Sequence, residues 1–372
     1  MNALGIIFSD IQDWSMTELA AHRSVAAIPF GGRYRLIDFP LSNMVNSGIN
    51  KIYLITSSKY RSLMEHVGSG KDWDLSRKKG GILTIPPYSA GENHGLYQGR
   101  LDALKRVLDY ITSSKENYVI LSDSDMIYDI NYQSVIKYHE DKKSDITAVY
   151  TKTNINKSNS IHKILYEFDE DGRADDILVY PITNGNYKVG LNTWVMNKEF
   201  LESLLYDAIA RNYKDFSLNV LSARVHSLRI YGYEYTGFYA HIDSLQSYYE
   251  NSMKLLNIDN LQDIFYSKTG PIYTKTKDSA PTKYCSDALV KNSLIANGCI
   301  IEGTVENSIL FRNVRIGKNA VVKNSIIMQH GRISDNAKLD SIITDTYTFV
   351  NKDRVLLGYS NCPFFIKKNS VV

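Results

Sequence analysis

The chain has 372 residues with 44% apolar and 22% charged side chains, the balance of a folded globular protein with a length that points to more than one core. A net charge of +3 with interspersed signs excludes a nucleic-acid surface, which needs concentrated lysine and arginine. No run approaches the roughly 20 apolar residues of a membrane span, and the N-terminus lacks the basic start of a secretory leader. Cys285, Cys299 and Cys362 form neither a disulfide framework nor a metal-ligand spacing, so a reducing cytoplasm is the expected setting.

In chain order, Leu4–Phe8, Lys51–Ile55, Tyr118–Leu121 and Ile146–Thr151 are apolar or β-branched runs of strand length. Between them, Tyr97–Ile111 carries Leu101, Leu104, Val107, Leu108 and Ile111 at helical spacing. The alternation predicts an α/β layer fold with a mainly parallel sheet over residues 1–258. Tyr248–Leu256 reads as a helix, and Gly270-Pro271 and Ala280-Pro281 mark a linker over 259–284.

From 285 to 372 the pattern changes. Lys291-Asn292-Ser293, Glu306-Asn307-Ser308, Lys323-Asn324-Ser325 and Leu339-Asp340-Ser341 recur with serines 15, 17 and 16 residues apart. Leu294, Ile300, Val305, Leu310, Ile316, Val322, Ile327, Ile333 and Leu339 step by five or six, the beat of a hexapeptide parallel β-helix whose aliphatic corners stack from coil to coil.

Residues 23–49, which include Ile28-Pro29-Phe30-Gly31-Gly32-Arg33-Tyr34-Arg35-Leu36-Ile37-Asp38-Phe39-Pro40, resemble the sugar-nucleotide pyrophosphorylases, and bacterial glucose-1-phosphate adenylyltransferase in particular. Tyr97–Ala103, Leu121–Tyr132 and Lys291–Ile327 extend the resemblance along nearly the whole chain. It implies a Rossmann-like nucleotidyltransferase domain, a linker and a left-handed parallel β-helix. The implied reaction is attack of glucose 1-phosphate on the α-phosphorus of ATP, yielding ADP-glucose for glycogen. Such chemistry requires backbone N–H groups and cations around the triphosphate and a carboxylate-held Mg²⁺.

Position by position, the requirements are unmet. The family's glycine loop, Gly-Gly-x-Gly-x-Arg-Leu, falls on Asp10, Ile11, Asp13 and Ser15, and its triphosphate lysine falls on Val25. The two aspartates read as a solvated acidic loop, and glycine is what lets a backbone approach phosphate. Of two metal-binding aspartates, one matches Asp125 and the other matches His241, and imidazole is a poor ligand for hard Mg²⁺. Asp243, two residues on, points to the opposite face if the segment is extended, and a bent loop would bring it in. The sugar-phosphate lysine matches Tyr180, which has no charge to offer. In the turn that meets the base, Gly99 and Asp102 are kept, while Arg100 replaces a small residue and crowds the pocket. Arg33 and Arg35 keep cations where the family senses phosphorylated activators.

The reading that follows is a non-catalytic regulatory sister subunit of the adenylyltransferase. It takes no cofactor of its own and pairs, as a heterotetramer, with a catalytic subunit that carries the Mg²⁺. A divergent active adenylyltransferase using Asp125, Asp243 and Arg100 in new roles is the alternative, and a sugar-phosphate or nucleotide sensor acting through the β-helix is a third. Glu92-Asn93-His94 reads as loop.

Overall fold

A computed structural model describes residues 2–9, 18–56, 58–87, 97–267 and 269–372. The glycine-loop positions Asp10, Ile11, Asp13 and Ser15, and the triple Glu92-Asn93-His94, lie outside the described residues.

The apolar runs form a nine-stranded sheet: β1 (Ala3–Phe8), β2 (Lys51–Ile55), β3 (Gly81–Ile85), β4 (Tyr118–Asp123), β5 (Ile146–Ile155), β6 (Ile164–Phe168), β7 (Ala174–Val179), β8 (Gly185–Asn197) and β9 (Ile230–Glu234). Its core, β4-β1-β2-β3, is wholly parallel. The long β8 runs antiparallel to β4, β5 and β6. Alternation along β1 explains its central place. Leu4, Ile6 and Phe8 enter one buried cluster, while Ala3 and Ile7 enter the cluster on the other face, so the strand is covered on both sides. Among the helices on those faces are α1 (Asp38–Asn46) and α2 (Arg100–Arg106). The single helix expected over Tyr97–Ile111 divides at Val107 into α2 and Leu108–Thr112.

Helix α3 (Leu245–Lys254) begins at Ser244, whose hydroxyl accepts from Ser247 N in a capping box. The expected linker over 259–284 opens with another helix, α4 (Ile258–Phe265), placed by the Asn257 cap. Three five-stranded parallel sheets follow as the faces of a β-helix.

The repeat is explained by its Asn-Ser pairs. Asn292, Asn307 and Asn324 hold left-handed turns at φ 43°, 47° and 46°, a conformation asparagine tolerates. Each following serine accepts from the next coil, Ser308 N to Ser293 Oγ and Ser325 N to Ser308 Oγ at 3.1 Å. The fourth repeat is offset from the sequence reading. Strand register pairs Lys323 with Asp340, so Ser341, at φ 57°, takes the asparagine place and Ile342 N bonds Ser325 Oγ. The coil-to-coil step there is therefore 17 residues, and the 16-residue serine spacing reflects a residue-type change at the turn. The aliphatic series is likewise displaced at its start. Ile295 and Ile301, with Val305, Leu310 and Ile316, pack in the β-helix interior, whereas Leu294 packs with Ile309, Ile326 and Ile343 against the first domain.

That junction is itself a core. Phe30, Phe39 and Tyr248 meet Phe311, Ile326, Met328 and Ile343. Each large side chain so buried contributes about 1.5–3 kcal/mol, enough to hold the two domains as one body. Polar pins cross it: Tyr249 Oη donates to Asn324 O at 2.6 Å, and Arg23 meets Asp345.

Candidate functional site

The C-terminal ends of β1 and β4 are where an open parallel sheet presents ligands. Here those ends are occupied by the chain's own charges. Arg100, the first residue of α2, is 4% exposed and lies across Asp123 at the end of β4. Nε donates to Oδ1 at 3.0 Å and Nη2 donates to Oδ2. Its guanidinium also sits 5.2 Å from the Trp194 ring centroid. Burial alone would lower the Arg100 pKa, but the Asp123 carboxylate outweighs it and raises the value. Arg100 is thus an internal cation held in a buried, bidentate ion pair with Asp123.

Gly99 and Asp102 serve the same local structure. A Cβ at Gly99 would lie 2.4 Å from Lys214 O. That carbonyl accepts from Leu101 N at 3.1 Å and Asp102 N at 3.4 Å, so free N–H groups at the start of α2 are spent on the protein itself. The Asp102 carboxylate turns back to Gln98 N and Arg106, both at 3.2 Å.

Asp125 and His241 do come together. The Ala240–His241 strand pairs antiparallel with Met126–Ile127, and Ile242 N bonds Asp125 O at 2.9 Å. This places His241 Nε2 3.3 Å from Asp125 Oδ2. Asp243 follows the bent-loop alternative. The strand stops at His241, the backbone turns into the cap of α3 with Asp243 N bonded to Ser247 Oγ, and the Asp243 carboxylate returns to 3.5 Å from His241 Nδ1.

Sequence reasoning missed the group between them. Lys163, 7% exposed, puts Nζ 3.1 Å from His241 Nδ1 and 3.6 Å from Asp243 Oδ2. Burial lowers its pKa, with Asp243 and Asp125 opposing. Burial pushes Asp243 the other way, but His241 and Lys163 outweigh it and hold the carboxyl below its ordinary value. The available signal was positional: Lys163 immediately precedes β6, which pairs with the strand ending at Val179-Tyr180. Tyr180 adopts φ 57° and its N–H bonds Lys163 O at 2.9 Å, so Tyr180 anchors the backbone of Lys163. Lys163, His241 and Asp243 line a cavity of about 590 Å³ that also meets Asn251 of α3 and Asn361 of the β-helix.

The residues do not fit Mg²⁺. Asp125 Oδ1 is buried without a hydrogen-bond partner, but its neighbourhood offers an imidazole and an ammonium where oxygen ligands are required. Among the described residues, no three His, Cys, Asp or Glu side chains are grouped to hold a metal ion.

Val25 lies in the short helix Val25–Ala27, buried in the interdomain core beside Ile28 and Phe30. An apolar side chain is what that place requires.

A second charged region lies where the domains meet. Arg33 is exposed and hydrogen-bonds Tyr34 Oη at 2.7 Å. Arg35 reaches Ser62 O and Oγ at 2.7 and 2.9 Å, and its pKa is pushed down to about 10 by burial, with Asp38 opposing and Arg23 reinforcing. Lys277 is lowered by burial and by Arg35, Arg312 and Lys275. Arg312 is lowered by burial and by Arg33. Beyond them, Arg315 and Arg332 are paired directly across neighbouring strands, an arrangement of like charges that is unfavourable without an anion. Among the described residues Arg33, Lys277, Arg312, Arg315 and Arg332 form no ion pair with a carboxylate.

Comparison with known proteins follows this division. Residues 16–256 match the nucleotidyl transferase family, and residues 280–361 match the GlmU-like C-terminal hexapeptide family. The chain is 36% identical to the glycogen biosynthesis protein GlgD of Bacillus subtilis (strain 168), over 99% of this chain and 96% of that protein. It is 38% identical to GlgD of Geobacillus stearothermophilus over 86% and 82% of the two chains. A glucose-1-phosphate adenylyltransferase of Clostridium novyi (strain NT) is 30% identical over 86% and 84%. The chain belongs to the nucleotidyl transferase family, in the group formed by GlgD proteins and glucose-1-phosphate adenylyltransferases.

Proposed function

We propose that this chain is a catalytically silent, cytoplasmic regulatory subunit of a glucose-1-phosphate adenylyltransferase assembly in glycogen biosynthesis. The observation that carries the reading is the engagement of Arg100 with Asp123 and of Lys163 with His241 and Asp243. Cations and carboxylates that an adenylyl transfer would direct at substrates and metal are satisfied by one another, and electrostatic catalysis requires them aimed at the reacting phosphates. The partner is a catalytic paralogue that holds the Mg²⁺, and the working species is a heterotetramer. The junction cations Arg33, Arg35, Lys277 and Arg312 are the receptor for a phosphorylated metabolite, because phosphate relieves their mutual repulsion.

The test is an ADP-glucose assay on this chain, on a catalytic paralogue from the same cell, and on the two co-expressed, with size-exclusion chromatography and mass detection. This chain alone should turn over below about 1 s⁻¹, under the ordinary enzyme range. The mixture should elute as one species with an altered effector response, which Arg33→Ala weakens without dissolving the complex. Turnover by the isolated chain, or two separate homomers with unchanged activity, would refute the reading.

A further inference from the structure

We propose that the Lys163 ammonium, set against His241 and Asp243, is a built-in cation that occupies the pocket in place of a divalent metal. This assignment holds whether or not the chain regulates a partner, because it concerns only how the pocket balances its own charge.

Two carboxylates converge here on one imidazole. Asp125 Oδ2 lies 3.3 Å from His241 Nε2 and Asp243 Oδ2 lies 3.5 Å from His241 Nδ1. The Asp243 side chain is 10% exposed and that of Asp125 29%, and a carboxylate as buried as Asp243 needs a counter-charge. Lys163 supplies it, with Nζ in hydrogen-bond reach of Nδ1 at 3.1 Å and 3.6 Å from Asp243. Lys163 thereby contacts His241 and Asp243 together, and His241 carries the link on to Asp125.

The backbone is arranged to hold that ammonium. Lys163 N bonds Ser160 O at 3.0 Å, and Lys163 O accepts from Tyr180 N at 2.9 Å. Tyr180 does so from φ 57°, a region costly for a bulky L-residue. A metal entering the pocket would meet this ammonium before it could gather oxygens, and would find imidazole where a carboxylate is needed. Substitution of both obstacles should therefore create a cation site that either one alone suppresses.

The experiment is titration of the full chain with Mn²⁺, followed by electron paramagnetic resonance of the free ion and by melting temperature. Wild type is compared with Lys163→Gln, His241→Asp/Lys163→Gln and His241→Asp/Lys163→Arg. The His241→Asp/Lys163→Gln chain should bind one Mn²⁺ at least about 100-fold more tightly than wild type, with a rise in melting temperature as metal binds the folded state. Restoring the cation in His241→Asp/Lys163→Arg should abolish that gain. Equal Mn²⁺ affinity in the arginine and glutamine forms would overturn the proposal, as would wild-type binding within about tenfold of the double variant. Lys163→Gln alone is an independent readout that keeps both backbone contacts of residue 163. His241 still suppresses the site in that chain, so its Mn²⁺ affinity should stay close to wild type, and a gain as large as that of His241→Asp/Lys163→Gln would overturn the assignment.

Discussion

The link between the two domains is open to a quantitative test at Arg23 and Asp345. Arg23 Nη2 lies 2.6 Å from Asp345 Oδ1 and 2.9 Å from Oδ2, and the two side chains are 6% and 3% exposed. At 2.6 Å and an effective dielectric of 20 the pair attraction is roughly 6 kcal/mol, but desolvation takes back several kcal/mol for each ion. The net value of the pair is therefore small, while either ion left alone in the same place is expensive. Arg23 Nη1 already lacks a partner, so Asp345→Ala would leave a guanidinium with no compensation in an apolar junction beside Tyr248. The expected loss is about 3–5 kcal/mol, measured by urea denaturation with far-UV circular dichroism and with fluorescence from the buried Trp73 and Trp194. Arg23→Met/Asp345→Leu should recover to within about 1–2 kcal/mol of wild type, because it removes both charges together. A single substitution costing less than about 1 kcal/mol, or a double variant as unstable as the sum of the singles, would refute the reasoning.

Stability should also fall on acidification through His139, whose pKa is pushed down to about 4 by burial while its Nδ1 bonds Thr147 Oγ1 at 2.9 Å. The unfolded chain binds a proton near pH 6.5 and the folded chain does not until about 4, so up to ~1.4 kcal/mol is lost per pH unit as pH falls across that window. Denaturation from pH 7 to 4 should show this slope in wild type and a flatter one in His139→Gln; identical slopes would exclude His139 as the cause. Gly99→Ala should cost roughly 1–3 kcal/mol by forcing Lys214 O off the start of α2, and an unchanged urea midpoint would show that the 214–215 segment yields freely.

The layers and the solenoid were legible because their signals are periodic. Strand β1 alternates between two buried clusters, and the aliphatic corners of the β-helix repeat every coil. The slips occurred where periodicity carries no phase. Leu294 and Ile295 are equally apolar, and only the presence of the first domain decides which one faces inward. The serine of the fourth repeat misled because Ser341 occupies a left-handed turn that asparagine holds in the three preceding coils. At the site, the sequence could be compared with the family it resembles residue by residue, and Val25, Tyr180 and His241 stand out there as departures from the expected charge or ligand. The replacements could not be read. Arg100–Asp123 spans 23 positions, Lys163–His241 spans 78 and Arg23–Asp345 spans 322, and no local pattern joins such pairs.

Those long-range pairs bear on how a pocket can carry its own counter-charges and remain folded. A site that binds polyphosphate and metal is full of groups whose partners are ligands, and without ligands such groups are buried and unsatisfied. Here Lys214 O caps the start of α2, Asp123 neutralises Arg100, and Lys163 serves His241 and Asp243. Each internal partner removes the instability left by a missing ligand and at the same time blocks that ligand's return. A single reversion, such as His241→Asp, would place a third carboxylate beside Asp125 and Asp243 with only Lys163 to answer it, and the ammonium would be drawn more firmly into the pocket. On the proposed reading, adenylyl transfer would require several coordinated changes, and any one of them alone is expected to lower stability without raising activity.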